Sequence, residues 1–297
     1  EKRSSNPKEQ NGPTQLSPSF DAGAQRIYDG ALDLKLHMSV LGGRKRAPMI
    51  IKSRFQLHRS ISSSSPQSIR FVDTFREVAF LSEEGAPKRF TALAKEMEGL
   101  ELHWWLSRKT GKISKFHSPK EGPLLRRLGL LRALKRIYTL ASAAPKKKME
   151  VGSSWVKKSS VTTSFSGLPL KFDIAVRYRY RDRLSPGSTV YHRITGREST
   201  VLPDIKEKKT AHGFKIGGLV KGRLEVLVSR KEALWDLWRV RRTFALAATK
   251  KSPKGGEVTF GIRYDVSMRL FGQGVPASLR RAAPKKPKTK KDPKTPK

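Results

Sequence analysis

The residues with the clearest chemical potential are arginines. Arg177, Arg179, Arg181 and Arg183 occupy alternate positions after Val176, with Tyr178 and Tyr180 between the first three. In an extended strand this spacing puts the guanidinium groups in a row on one face, about 7 Å apart. A second group, Arg239, Arg241 and Arg242, follows Trp235 and Trp238. Like charges at this spacing repel, and no acidic run lies nearby to offset them. The planar guanidinium fork donates two parallel hydrogen bonds to a phosphate or carboxylate. Arg177, Arg179, Arg181, Arg239, Arg241 and Arg242 are therefore read as an anion-contact set. A row of this kind also serves plain solubility. As a binding surface it suits anionic lipid headgroups, lipopolysaccharide, an acidic protein or nucleic acid.

Other chemistries are poorly supplied. The chain has no cysteine, which removes disulfides, thiolate metal sites and cysteine nucleophiles together. The histidines are His37, His58, His103, His117, His192 and His212, and no two have the helical spacing of a metal-binding pair. His37 and His58 fall on outward faces of neighbouring candidate strands, where a meeting across the sheet is conceivable but solvation is the simpler reading. Glu83 and Glu84 sit in a loop, and Glu96, Glu98 and Glu101 cluster around a helix end. In so basic a chain they read as ion-pair partners, since a glycosidase-like dyad needs two carboxylates facing across a cleft. No serine lies in a Gly-x-Ser-x-Gly elbow, and Ser62–Ser65 reads as loop. Gly217-Gly218 and Gly255-Gly256 lack the ending of a phosphate-binding loop and read as turns. No catalytic residue, metal site or cofactor is expected.

The elements that carry these residues are mainly strands. Leu32, Leu34, Leu36, Met38 and Val40 alternate with Asp33, Lys35 and His37, and Gly42-Gly43 marks a turn. Met49, Ile51, Ser53, Phe55 and Leu57 form a second alternating run, followed by a loop over 60–67. Strict alternation gives each strand one wet and one buried face, hence an antiparallel sheet. Phe90, Leu93, Ala94 and Met97 switch to helical spacing after Pro87, and Gly99 ends that helix. Pro123–Leu140 is the clearest helix, with Leu124, Leu128, Leu131, Leu134 and Tyr138 on one face and Arg126, Arg132 and Arg136 opposite. In the second half, the run from Phe172 to Tyr180 and the run from Val258 to Leu270 alternate again. Met49–Leu57 matches Phe172–Tyr180, and Leu106–Lys109 matches Val228–Lys231, at offsets that agree within one residue. The pattern predicts an α+β, mainly β fold: two similar antiparallel β-sheet halves joined by an amphipathic helix. The expected divisions are a flexible lead over 1–24, a first β-rich half over 25–122 and a connecting helix and linker over 123–148. A second β-rich half covers 149–272, and a disordered basic tail 273–297.

Composition narrows the partners. The 297 residues carry a formal net charge of +38. The stretch Arg280–Lys297 holds nine basic residues against one acidic, with prolines throughout, and cannot bury a core of its own. No apolar run approaches the roughly 20 residues of a membrane-spanning helix.

The segment Ala144-Pro145-Lys146-Lys147-Lys148-Met149-Glu150-Val151-Gly152-Ser153-Ser154-Trp155 follows Gly99-Leu100-Glu101-Leu102, Leu106-Ser107, Gly111-Lys112-Ile113 and a leucine-rich helix. This order resembles a group of uncharacterised bacterial cell-envelope proteins, often lipoproteins, in which a Val-Gly-x-x-Trp segment separates two β-rich halves. The resemblance spans roughly residues 27–270, and Val151–Trp155 is its distinctive part. It implies a periplasmic or outer-membrane-associated location and a signal segment with a lipidated cysteine ahead of Glu1. It implies no activity. Physically, Gly152 permits a sharp turn onto the sheet and Trp155 brings a large ring to the core. The first reading is thus a non-enzymatic bacterial cell-envelope protein that contacts an anionic surface or partner through basic strand faces. A nucleic-acid-associated protein of the cytosol or an organelle is the alternative. It is disfavoured because Tyr178 and Tyr180 fall on the core face and not beside the arginines. A lipid or apolar-ligand carrier, with the sheet curved around the helix, is the third.

Overall fold

The computed structural model describes residues 21–40, 49–81, 88–110, 112–141, 148–165, 168–205, 215–229, 235–251 and 257–280. The expected turn at Gly42-Gly43, Glu83-Glu84, the helix-opening Pro87, the Pro145 linker, His212, Gly255-Gly256, and most of the lead and tail lie outside these residues. The first half comprises β1 (Gln25–Val40), β2 (Met49–Ser64), β3 (Ser68–Phe80), α1 (Lys88–Met97), β4 (Glu101–Ser107) and β5 (Ile113–His117). Helices α2 (Pro123–Leu128) and α3 (Leu130–Ala141) follow. The second half comprises β6 (Ser154–Phe165), β7 (Leu168–Leu184), β8 (Tyr191–Ile205), β9 (Lys215–Ser229), β10 (Leu237–Lys251), β11 (Glu257–Gly272) and the short α4 (Ala277–Arg280).

Among the described residues, eleven strands form one antiparallel sheet in the order β5-β4-β3-β2-β1-β11-β10-β9-β8-β7-β6. The two halves are therefore two meanders laid side by side and fused where β1 pairs with β11, from Tyr28↔Gly272 to Val40↔Phe260. The expected mainly β fold with two antiparallel β-rich halves is present, and the two halves share a single sheet. Each meander would otherwise end in an open strand edge, and pairing the first strand with the last satisfies both backbones at once. The strands matched in sequence hold the same ordinal place, β2 with β7 and β4 with β9. Other boundaries also differ from the pattern. Strand β2 continues through Ser64, so Ser62–Ser64 are ladder residues and only Ser65–Ser68 turns. Gly217 and Gly218 lie inside β9, opposite Ala247 and Leu246.

The predicted helix over 123–140 is two helices. Gly129 takes the left-handed conformation (φ 63°) and donates its N–H to the Arg126 carbonyl, ending α2. Helix α2 begins with Pro123 after Gly122, which has no side chain to cap it. The cap comes from α1: Glu96 accepts the Leu124 and Leu125 N–H groups at 3.2 and 3.0 Å. A Cβ at residue 122 would overlap that carboxylate, so the glycine admits a cap from elsewhere in the chain. Glu98 accepts the Val78 N–H at 3.0 Å, which makes these acids structural, as their number in a basic chain suggests.

The sheet curls around α3, which touches β5 at one edge and β9, β10 and β11 in the other half. Its buried face, Leu134, Ile137 and Tyr138, joins inward residues of both halves in one core. Phe55 packs here because Gly30 stands opposite it in register; a Cβ at residue 30 would overlap the Phe55 ring. The centre of this core holds charge. Arg59 and Asp73 face each other across β2 and β3, both on the inner face and both buried. Arg59 donates through Nε and Nη2 to the two Asp73 oxygens at 2.7 Å each. Asp73 also accepts from Tyr138 Oη at 2.6 Å and Trp104 Nε1 at 3.2 Å. Five rings surround the guanidinium, with Trp238 nearest at 4.3 Å, then Trp104, Tyr28, Tyr138 and Trp235. Burial works against the charged Arg59, and the Asp73 carboxylate outweighs it. Burial raises the Tyr28 hydroxyl to about 12 and, with Asp73 adding to it, the Tyr138 hydroxyl well above its ordinary value, so both remain protonated donors.

Candidate anion-contact face

Strict alternation along β7 turns Ile174, Val176, Tyr178 and Tyr180 inward and Arg177, Arg179 and Arg181 outward, all three exposed. The neighbouring strands add what the sequence pattern alone did not reveal. In register, Arg177 stands opposite Arg197 on β8, Arg197 opposite Arg223 on β9, and Arg223 opposite Arg241 on β10. All four are exposed. Four guanidinium-bearing residues thus cross four strands in a straight row, spanning about 14 Å at the usual strand spacing. The row is bounded by exposed Val156 of β6, opposite Arg177, and by Ser267 of β11, opposite Arg241.

Like charges directly opposite one another on a sheet are destabilising. Elsewhere on the outer surface acids relieve this. Arg193 is held by Asp182 in a two-pronged contact, and Arg239 by Glu225 at 2.9 Å. Arg263 pairs with Asp265 at 2.8 Å and Arg280 with Asp29 at 3.2 Å. In the row itself, no carboxylate lies within ion-pair distance of Arg177, Arg197, Arg223 or Arg241 among the described residues. Arg179 and Arg181 extend the charge along β7, and Arg181 donates to Thr195 Oγ1 at 3.0 Å.

Two of the expected anion contacts are placed otherwise. Arg242 follows Arg241 by one residue, so the strand period turns it to the core. It is 6% exposed and donates to Glu198 Oε1 at 2.6 Å. Gly222 lies between them in register, opposite Glu198 on one side and Arg242 on the other. With no side chain there, the ion pair reaches across β9. Burial raises the Glu198 carboxyl, and Arg242 opposes that rise. Arg239 faces outward but is occupied. Besides Glu225, it donates to the Leu279 and Arg280 carbonyls at the end of α4 and lies over the Phe271 ring. Residues 273–280, assigned from sequence to the tail, are in fact folded here: Val275 is buried and Leu279 packs on the small cluster of Tyr191, Leu227 and Leu237. Arg197 and Arg223 were missed because each lies alone among acids and glycines in the sequence. Their outward parity was nonetheless readable from buried Ile194 and Leu224.

The remaining polar residues settle into local roles. His37 and His58 do not meet. His58 pairs opposite Ile27, at the other end of β1 from His37, and His37 approaches Asp265 at 3.8 Å. It is His103 and His117 that stand opposite each other, ring centroids 5.4 Å apart, beside Trp105 and Arg70. Gly152 has φ 93° and its N–H donates to the Tyr180 carbonyl; Trp155 stacks on Tyr178 at 5.6 Å. This is the core role expected of that segment. On the inner side of β6, burial lowers the Lys157 amine to about 8, with the like charge of Lys112 adding to it. The unfolded chain, with a lysine near 10.4, then binds the extra proton between those values, so stability rises with pH across that window. Lys157→Met is expected to raise the urea midpoint at pH 7 and to leave it unchanged at pH 10.5. An equal gain at both pH values would mean the gain is packing and not relief of a buried charge.

Fold and face together define an antiparallel β protein with a cationic strand face. Comparison with protein families and with curated proteins returns no match for this chain.

Proposed function

We propose that this chain is a non-enzymatic module that contacts an anionic surface or partner through the outer face of β7–β10. The observation that carries the reading is the row Arg177–Arg197–Arg223–Arg241, set in register with no acid within ion-pair distance among the described residues. A repulsive row costs folding free energy, and an external polyanion relieves it. The net charge of +38 draws such a partner in at long range, while the row supplies a defined place to dock. A bacterial cell-envelope setting accords with the Val151–Trp155 resemblance and with the absence of cysteine, and is part of the same proposal.

The test separates the row from general basicity. One variant replaces Arg177, Arg197, Arg223 and Arg241 by glutamine. A control replaces Lys285, Lys286, Lys290 and Lys291 by glutamine and so removes the same charge from the tail. Binding to polyphosphate is measured for both across a salt series. The row variant is expected to lose at least tenfold more affinity than the control. Equal losses would reduce the interaction to net charge and overturn the reading.

A further inference from the structure

We infer that the arginine row is a docking strip for a phospholipid surface bearing anionic headgroups. This deepens the preceding proposal and rests on it. Three features of the face select this partner. First, the cations form a two-dimensional array. The row crosses β7–β10, Arg179 and Arg181 continue it along β7, exposed Lys221 lies beside it on β9, and exposed Lys158 lies on the flanking strand β6. A sheet face of this kind presents its charges to a plane, whereas the grooves of a duplex admit a protruding helix or ribbon.

Second, the row ends on an exposed aliphatic side chain: Val156 stands opposite Arg177 with 53% of its surface exposed. Cations backed by aliphatic side chains suit the boundary between headgroups and acyl chains. Third, none of the described exposed residues of β6–β10 is aromatic: Tyr191, on the outer face of β8, is buried in the cluster with Leu227 and Leu237, and Trp155, Tyr178 and Tyr180 pack into the fold. Binding of unpaired bases relies on exposed stacking rings. Arginine in place of lysine at all four row positions adds the bidentate match to a phosphodiester. Each arginine near an anionic membrane surface strengthens binding by roughly five-fold.

The experiment uses the full chain with vesicles of phosphatidylcholine, with and without phosphatidylglycerol, beside polyphosphate, inorganic phosphate and single- and double-stranded DNA. Three proteins are compared: the unaltered chain, the four-glutamine row variant and Val156→Ser. The inference expects tight binding to the phosphatidylglycerol vesicles alone among the vesicles. The row variant should lose roughly several hundred-fold on them. Val156→Ser should weaken vesicle binding by several-fold and leave polyphosphate affinity unchanged. If the row variant weakens polyphosphate and DNA as much as vesicles and Val156→Ser changes nothing, the lipid inference fails while the anion reading stands. If the row variant binds every probe like the unaltered chain, the anion reading itself fails. A preference for single-stranded DNA over the vesicles also overturns the lipid inference. Circular dichroism of each variant confirms that the sheet is intact, since all five altered side chains are exposed.

Discussion

Asp73→Ala is expected to lower folding stability by about 3–5 kcal/mol, the usual cost of removing one partner of a buried ion pair. The size follows from what is left behind. Arg59 would remain charged and buried without its acceptor, and Tyr138 Oη and Trp104 Nε1 would lose the oxygen they share. Those groups come from β2, β4 and α3, so the loss falls on the contact between helix and sheet as well as on the β2–β3 ladder. Replacing both charges at once, as Arg59→Met with Asp73→Leu, is expected to cost clearly less than the sum of the single changes. No uncompensated charge then remains, and the five surrounding rings accept an apolar side chain. Urea unfolding followed by tryptophan fluorescence measures all three. Additive costs would show that the two groups do not act as a pair.

The second large effect contrasts two adjacent residues. Arg242→Ala is expected to cost about 3–5 kcal/mol, because it strands the Glu198 carboxylate in the core. Arg241→Ala, one position away on the exposed face, is expected to stay within about 0.5 kcal/mol of the unaltered chain. Binding should show the reverse order. Arg241→Ala weakens attachment to anionic vesicles by roughly five-fold, and Arg242→Ala, measured where it is still folded, leaves it unchanged. The stranded acid also gives a pH signature. Without Arg242, the Glu198 carboxyl, already raised by burial, rises further. A raised folded-state carboxyl favours the protonated form, so the Arg242→Ala deficit should shrink as pH falls through the range in which Glu198 becomes neutral. A deficit that stays constant with pH would place its origin in lost packing.

The strand content was legible because alternation is a local property. Each inward residue of β11, and of β7 up to Tyr180, is two positions from the next, and no distant contact is needed to see the pattern. The amphipathic helix was legible for the same reason, although its break at Gly129 was not. A glycine inside a helical period becomes a stop only when the chain must change direction to pack α3 into the sheet. Parity also assigned Arg177, Arg179 and Arg181 to the outer face. Applied to β10 as well, it would have separated outward Arg241 from inward Arg242.

Register and closure were decided only by tertiary structure. That Arg197 and Arg223 stand in line with Arg177 and Arg241 depends on how four strands align, including the bulge between Tyr180 and Asp182 on β7. A slip of one residue in any pairing would break the row, and nothing local to either residue encodes that alignment. The Arg59–Asp73 pair is similar: both positions are inward by alternation, but their meeting needs the β2–β3 register and the helix that brings Tyr138. The fusion of two meanders into one sheet through β1 and β11 joins segments more than two hundred residues apart in the chain. The sequence thus settled which side of each strand is wet, since that depends on near neighbours. The folded chain settled which wet residues become neighbours, since that depends on hydrogen-bonded alignment across strands.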